Sequence, residues 1–352
     1  MVGGMRVRLW RHELSLGSSI TTSQQVHTTR THLFLELEID GVLGMGEISP
    51  QPHGLNGDPG LDDVLVELEH FTLRQFVDIT QREGAAPHWA RVTHFAGSRP
   101  ASYAASALLE MALLDANLRA RREDIAAQWP ERFDTPLQST VSLLDDQPIT
   151  PHRDAAQLRA KVSHAPVPLS RWRELSERGL PVMLDFNCAG RDIDDVVSLT
   201  ATARSHVEVV AVEQPFAAGN VIEHARLAAV LDVPVSLDEG VRHRRDLDQI
   251  VRYRAAGQIC VKPARVGGFA QARTMIERAQ RYDLEVYLGG FFESPLARRA
   301  NRALARHYLT RPSDVAEVDL DAAGLFVADP WGCGFLPGEA LESKETLMPR
   351  LW

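Results

Sequence analysis

The sequence predicts an α/β fold: a (β/α) barrel of the TIM type carrying an N-terminal α+β capping domain. Three observations predict it. Beyond Pro136 short apolar runs alternate with amphipathic stretches of about 10–15 residues, the texture of parallel βα units. Eight such apolar runs occur, which is the number of strands a barrel needs. Ahead of them, residues 31–47 alternate with period two, as antiparallel strands do.

In chain order, Leu33, Leu35, Leu37 and Ile39 alternate, the chain turns at Asp40-Gly41, and it returns through Leu43 and Met45 as a hairpin. Over residues 101–119, Leu108, Leu109, Met111, Ala112, Leu113 and Ala116 recur at helical spacing, with Glu110 and Asp115 among them. These elements give a capping domain over 1–125, on which 325–352 is expected to pack, and leave 126–324 for the barrel. Its strands are expected at 137–144, 157–163, 181–187, 207–214, 233–238, 258–262, 284–290 and 315–320. Helices are expected over 220–231, 244–255 and 269–282. The first crossover, 145–156, contains Pro148 and Pro151 and little helix signal, so either it is degenerate or the strand count is off by one. The polar, glycine-bearing stretches 17–27 and 50–59 read as mobile loops, either plain surface or a lid over the barrel mouth.

The formal charge of −9 disfavours a nucleic-acid partner, since a phosphate-tracking surface needs a basic excess. The basic run Arg242 to Arg245 is itself followed by Asp246 and Asp248. Cys188, Cys260 and Cys333 are too scattered for a disulfide framework or a zinc site, which suggests a reducing compartment. Residues 1–11 lack the apolar core of a signal peptide, and no stretch approaches the ~20 apolar residues of a membrane span. The expectation is a cytoplasmic protein with a small-molecule partner, no membrane or nucleic-acid contact, and homo-oligomerisation left open.

Reactive groups in such a barrel sit where strands end. The run Val182-Met183-Leu184 ends in Asp185, Val209 to Val212 in Glu213, and Val235-Ser236-Leu237 in Asp238. Each carboxylate follows the last by about one βα unit, 28 and 25 residues, so the three should stand side by side at the mouth. Any one alone is more simply a helix cap. Three in register repel one another and call for a cation, and all-oxygen ligation points to Mg2+, with Mn2+ the alternative. Lys161 and Lys262 flank them, 24 residues before the first and 24 after the last. Singly each reads as a salt-bridge partner. Together on opposite rims, with burial lowering their pKa, they suit proton transfer.

The segments MLDFN (183–187), VEQP (212–215), LDEG (237–240) and VKPARVGG (261–268) resemble the enolase superfamily, and within it the muconate-lactonizing subgroup. KPARVGG and LGGFFES (288–294) look most like o-succinylbenzoate synthases and N-succinylamino acid racemases. The resemblance extends to GMGEISP (44–50) and SALLEMALLDANL (106–118) in the capping domain. It implies an enzyme, a lyase or an isomerase, that uses magnesium and removes the proton α to a carboxylate. Lys161 would then be the base, and Lys262 would stabilise the intermediate or return the proton. Two departures stand out. Arg159 replaces the outer lysine of the usual lysine-x-lysine, and Asp319-Leu320-Asp321 is similar to the aspartate pair with which dipeptide epimerases bind an ammonium. Asn187 and Glu239 are expected beside the metal ligands. Gly290 is expected to allow close approach of a ligand, and Glu293 to meet Lys262 or the substrate. The reading from another class is a non-catalytic homologue that binds a ligand on the same fold.

Overall fold

The structure is a computed structural model. It describes residues 4–351 apart from 22–25, 96–98, 132–136, 144–154, 163–166, 309, 317–321, 344–345 and 348–349. The capping domain is built on three antiparallel strands, β1 (Met5–Thr21), β2 (Val26–Ile39) and β3 (Val42–Ile48). Ile39 pairs with Val42 across Asp40-Gly41, both at positive φ (51° and 78°), so the predicted tight hairpin forms. After β3 come α1 (Leu61–Glu67), a π-helical turn, α2 (Leu73–Glu83) and the long α3 (Pro100–Arg121).

Helix α3 is apolar nearly all round because it lies between the sheet and the barrel. It can approach β3 closely because that strand offers glycines. A Cβ on Gly44 would stand 2.1 Å from the carbonyl oxygen of Ala112, and one on Gly46 2.3 Å from that of Leu108. Near the C-terminus, the short strand Arg350–Leu351 pairs with β1, and Asp329 meets Arg119 of α3 at 2.7 Å, so this segment contacts the capping sheet and helix.

Seven parallel strands run in spatial order β4 to β10: β4 (Ser139–Leu143), β5 (Ala155–Lys161), β6 (Val182–Asp185), β7 (Val209–Glu213), β8 (Val235–Leu237), β9 (Gln258–Val261) and β10 (Glu285–Leu288). The predicted helices are found as α7 (Val221–Ala228), α8 (Arg244–Tyr253) and α10 (Phe269–Gln280), each a few residues shorter than its apolar pattern. The intervening helices are α4 (Ile125–Gln128), α5 (Leu169–Glu177), α6 (Ile193–Arg204), α9 (Pro263–Val266) and α11 (Pro295–Tyr308).

The ring is closed by residues 311–314. Arg311 and Asp314 donate to Val286 and Leu288 of β10, both at 2.8 Å, while Ser313 donates to Gln138 (3.1 Å) and accepts from Thr140 (2.9 Å) beside β4. The closing segment thus lies a few residues ahead of the expected 315–320, because its Pro312-Ser313-Asp314 carries no apolar run to mark it. Of that expected strand, 317–320 lies outside the described residues, as does 145–154 of the doubtful crossover 145–156, whose last two residues begin β5.

The strand period divides the barrel. Leu158, Leu184, Val212, Leu237, Ile259, Val261, Val286 and Leu288 join the main core under the helices. Met183, Ala211, Cys260 and Tyr287 form a small separate cluster inside the ring. The residues two further along β6 and β7 from Met183 and Ala211, and two beyond Ser236 and Cys260, are Asp185, Glu213, Asp238 and Lys262. Alternation therefore fixes which face these charges occupy.

Candidate active site

Strand pairing sets Lys161 beside Asp185 and Asp185 beside Glu213. Glu213 pairs with Ser236, two residues before Asp238. The charged row expected at the mouth is therefore present, in the order Lys161, Asp185, Glu213, Asp238, Lys262. Each acid leans on a cation. Lys161 Nζ is 2.7 Å from Asp185 Oδ2 and also donates to Asn187 Oδ1. Lys262 Nζ is 2.8 Å from Asp238 Oδ2 and 4.7 Å from the centre of the Phe291 ring. Arg159 Nε is 2.8 Å from Glu213 Oε2, with its guanidinium over the Tyr287 ring and 3.3 Å from Asp314.

The buried acids respond differently to these neighbours. Burial pushes Glu213 up to about 8, Arg159 opposing it and Asp185 and Asp238 adding to it. Burial likewise pushes Glu239 up to about 7, with Asp238 and Asp185 raising it further. For Asp238 burial is the largest single influence, yet the charges of Arg265 and Lys262 together hold it below the usual carboxylate range. Lys262 corrects an expectation. Burial is the largest single influence and disfavours its ammonium, but among protein groups alone the adjoining Asp238, Cys260 and Glu239 together raise its pKa.

The stretch 50–59, expected as a mobile loop, is ordered by two bridges: Leu55 and Asp58 pair antiparallel as a miniature hairpin, and Gln51 and Gly60 at its base form a parallel bridge. Asn56 and Gly57 at its tip both have positive φ (51° and 93°), the signature of a type I′ turn. The tip reaches the mouth, where Asn56 Nδ2 is 3.4 Å from Glu239 Oε1. Asp58 forms a two-point ion pair with Arg265 at 2.7 and 2.8 Å. Arg30 of β2 fixes the base of the hairpin by donating to Ser49 and Gln51. The other stretch expected as a loop or lid, 17–27, is strand where it is described: 17–21 end β1 and 26–27 begin β2, while 22–25 lie outside the described residues.

Of the remaining predicted residues, Asn187 donates to Glu239 Oε1 at 3.3 Å, so both stand beside the charged row. Glu293 does not meet Lys262. Its Oε1 accepts from Phe291 N at 2.9 Å and its Oε2 lies 3.2 Å from Arg298, because Arg298 projects from the first turn of α11 directly onto it. A Cβ on Gly290 would stand 2.4 Å from Glu293 Oε2 and 2.9 Å from Arg298 Nη1, so a side chain there would displace this buried ion pair. Asp319 and Asp321 lie outside the described residues. Sequence reasoning missed Asp58, Asn56 and Arg265. The first two lie in the readable Asn-Gly turn signature, and Arg265 lies inside the KPARVGG segment, but only the fold brings them together.

Among the described residues, no three Asp, Glu, His or Cys side chains stand close enough to enclose an ion as they are. The donor set nevertheless fits a hard divalent cation. It is all oxygen, and it holds buried negative charge that the protein satisfies incompletely. Glu239 Oε2 has no hydrogen-bond partner, and Glu213 Oε2 touches Arg159 off hydrogen-bond alignment.

A family model described as enolase C-terminal domain-like matches residues 147–324. The chain is similar to an N-succinylamino acid racemase of an Amycolatopsis species, 28% identical over 89% of this chain and 86% of that protein. It is also similar to an o-succinylbenzoate synthase of Bacillus subtilis, 25% identical over 88% and 84%. A solved dipeptide epimerase from Cytophaga hutchinsonii, complexed with Mg and D-Ala-L-Val, superposes with a TM-score of 0.78 over 99% of both chains at 15% identity, a likeness of fold.

Proposed function

The chain belongs to the enolase C-terminal domain-like family, and from that premise we propose that it removes the proton α to the carboxylate of a small substrate, as an o-succinylbenzoate synthase or an N-succinylamino acid racemase. The observation that carries this reading is the row of three carboxylates on consecutive strands with a lysine at either end.

Asp185, Glu213 and Asp238 would hold one divalent ion, magnesium by the hardness of the donors. When bound, the ion would supply the positive charge that offsets negative charge building on the substrate carboxylate. Lys161 is the proposed base. Its Nζ is held 2.7 Å from Asp185 Oδ2, so turning that carboxylate to another partner would free the amine to face the substrate. Asn187 keeps the Lys161 amine aimed as this happens. Lys262, shielded by Phe291, faces the substrate from the other rim. There it stabilises developing charge in a dehydration, or returns the proton to the opposite face in a racemisation. The hairpin tip over Glu239 limits the access of water on that side.

The test is a screen, with magnesium and in deuterated solvent, of the cyclohexadiene precursor of o-succinylbenzoate, N-succinyl amino acids and dipeptides. Product or α-deuterium in a succinyl compound is the expected result. Robust epimerisation of a dipeptide without turnover of succinyl compounds would replace this substrate assignment. Failure of every carboxylate to exchange would leave the non-catalytic reading.

A further inference from the structure

Arg265 stands between two carboxylates from different parts of the chain. Its Nη1 donates to Asp238 Oδ1 at 2.6 Å and to the Asp238 carbonyl oxygen at 3.0 Å. Its Nε and Nη2 donate to the two carboxylate oxygens of Asp58 at 2.7 and 2.8 Å. The Arg265 and Asp58 side chains are only 3% and 10% exposed, so one guanidinium charge serves two acids with little help from solvent. One of those acids is a proposed metal ligand. The other ends the two-residue turn of the 55–58 hairpin, whose tip also reaches Glu239.

A divalent ion on Asp238 would compete with Arg265 for the same carboxylate and repel its charge, strongly so where solvent is excluded. Arg265 cannot shed its proton to relieve this. It needs another anion, and Asp58 already presents the two-point geometry that a guanidinium binds best. We propose that Asp58 is a positioning residue, the counter-charge by which the capping domain lets a divalent cation take Asp238 from Arg265. Metal binding and docking of the 55–58 hairpin then favour one another, and this coupling is reciprocal. The inference rests on the assignment of Asp185, Glu213 and Asp238 as metal ligands.

The test is calorimetric titration of the full chain with magnesium alone, in the wild type, Asp58→Asn, Arg265→Gln and the double variant, with melting curves to confirm folding. Asp58→Asn should weaken binding by about 10- to 100-fold, the scale for losing a partner just outside a metal's own ligands. Arg265→Gln removes the competitor and should bind at least as tightly as the wild type, and the double variant should return to the Arg265→Gln value. Hydrogen exchange at the amides of Leu55 and Asp58, which pair across the turn, should slow on adding magnesium to the wild type and not to Asp58→Asn. Unchanged affinity in Asp58→Asn would overturn the inference. So would equal weakening in Arg265→Gln, the mark of a purely structural clasp. A wild type that binds no magnesium would instead overturn the metal assignment beneath it. If Asp58→Asn fails to fold, Arg265→Gln and the wild-type exchange still decide.

Discussion

The two rims of the barrel mouth carry the same residue type in different settings. Lys262 is 12% exposed, covered by Phe291 and joined at Asp238 by a second cation, Arg265. The capping domain clamps its surroundings. Asp58 holds Arg265, and Glu110 of α3 accepts from the amides of Phe269 and Ala270 at the start of α10, the helix that follows the Lys262 turn. Lys161 is 22% exposed and held by Asp185 and Asn187 from the neighbouring strand. A lysine that must exchange a proton gains from a partner it can release. One that only presents charge gains from rigidity. On the proposed chemistry, this difference favours Lys161 as the base and Lys262 for electrostatic stabilisation.

The comparison breaks most sharply at the base. Lys161→Ala is expected to reduce turnover by at least ~100-fold, the scale for losing a positioned general base. Near-normal turnover of the true substrate by that variant would reverse the assignment. In a racemisation Lys262→Ala should cost as much, while α-deuterium exchange through Lys161 should persist on one face.

A smaller effect tests the shield. Phe291→Ala removes a ring 4.7 Å from Lys262 Nζ, and cation–π contacts of this kind contribute roughly 0.5–2 kcal/mol. Turnover should fall severalfold, with substrate KM little changed. A change in KM alone would make Phe291 a binding surface.

The smallest effect concerns the clamp. Burial pushes Glu110 up to about 8, above its value in an unfolded chain, so folding takes up a proton between the ordinary carboxylate range and pH 8. The stability this group contributes is present in acid and lost as pH rises through that window. Glu110→Gln keeps an acceptor for α10 without the charge. Its melting temperature should fall by a few degrees less than that of the wild type between pH 6 and pH 9. Parallel curves would show that Glu110 does not titrate there.

The strands from β5 to β10 were legible because most are short apolar runs bounded by a charge or a glycine, and the residues that end them were read as facing the mouth. The closing segment was not, since its backbone bonds to two neighbours without any apolar side chains to announce it. The same limit applies to the site. Lys161, Asp185, Glu213, Asp238 and Lys262 could be read from strand ends at near-regular spacing. Asp58 and Arg265, 207 residues apart, form a pair that no local pattern encodes. Among protein groups alone, the pKa of Lys262 depends on Asp238 as well as on burial, and a strand-end pattern does not encode that balance.

The closing segment bears on how the molecule assembles. Each βα unit joins neighbours in sequence, whereas the seam between residues 138–140 and 311–314 ties ends more than 170 residues apart and carries a correspondingly large loop-closure entropy. The seam is therefore expected to close last. Asp314 contacts Arg159, and Arg159 contacts Glu213, so a chain folded in all but its seam would hold Glu213 without that support. In refolding followed by pulsed hydrogen exchange, the amides of Thr140 and Asp314 should gain protection after those of β7 and β8, and the capacity to bind magnesium should appear with the later group.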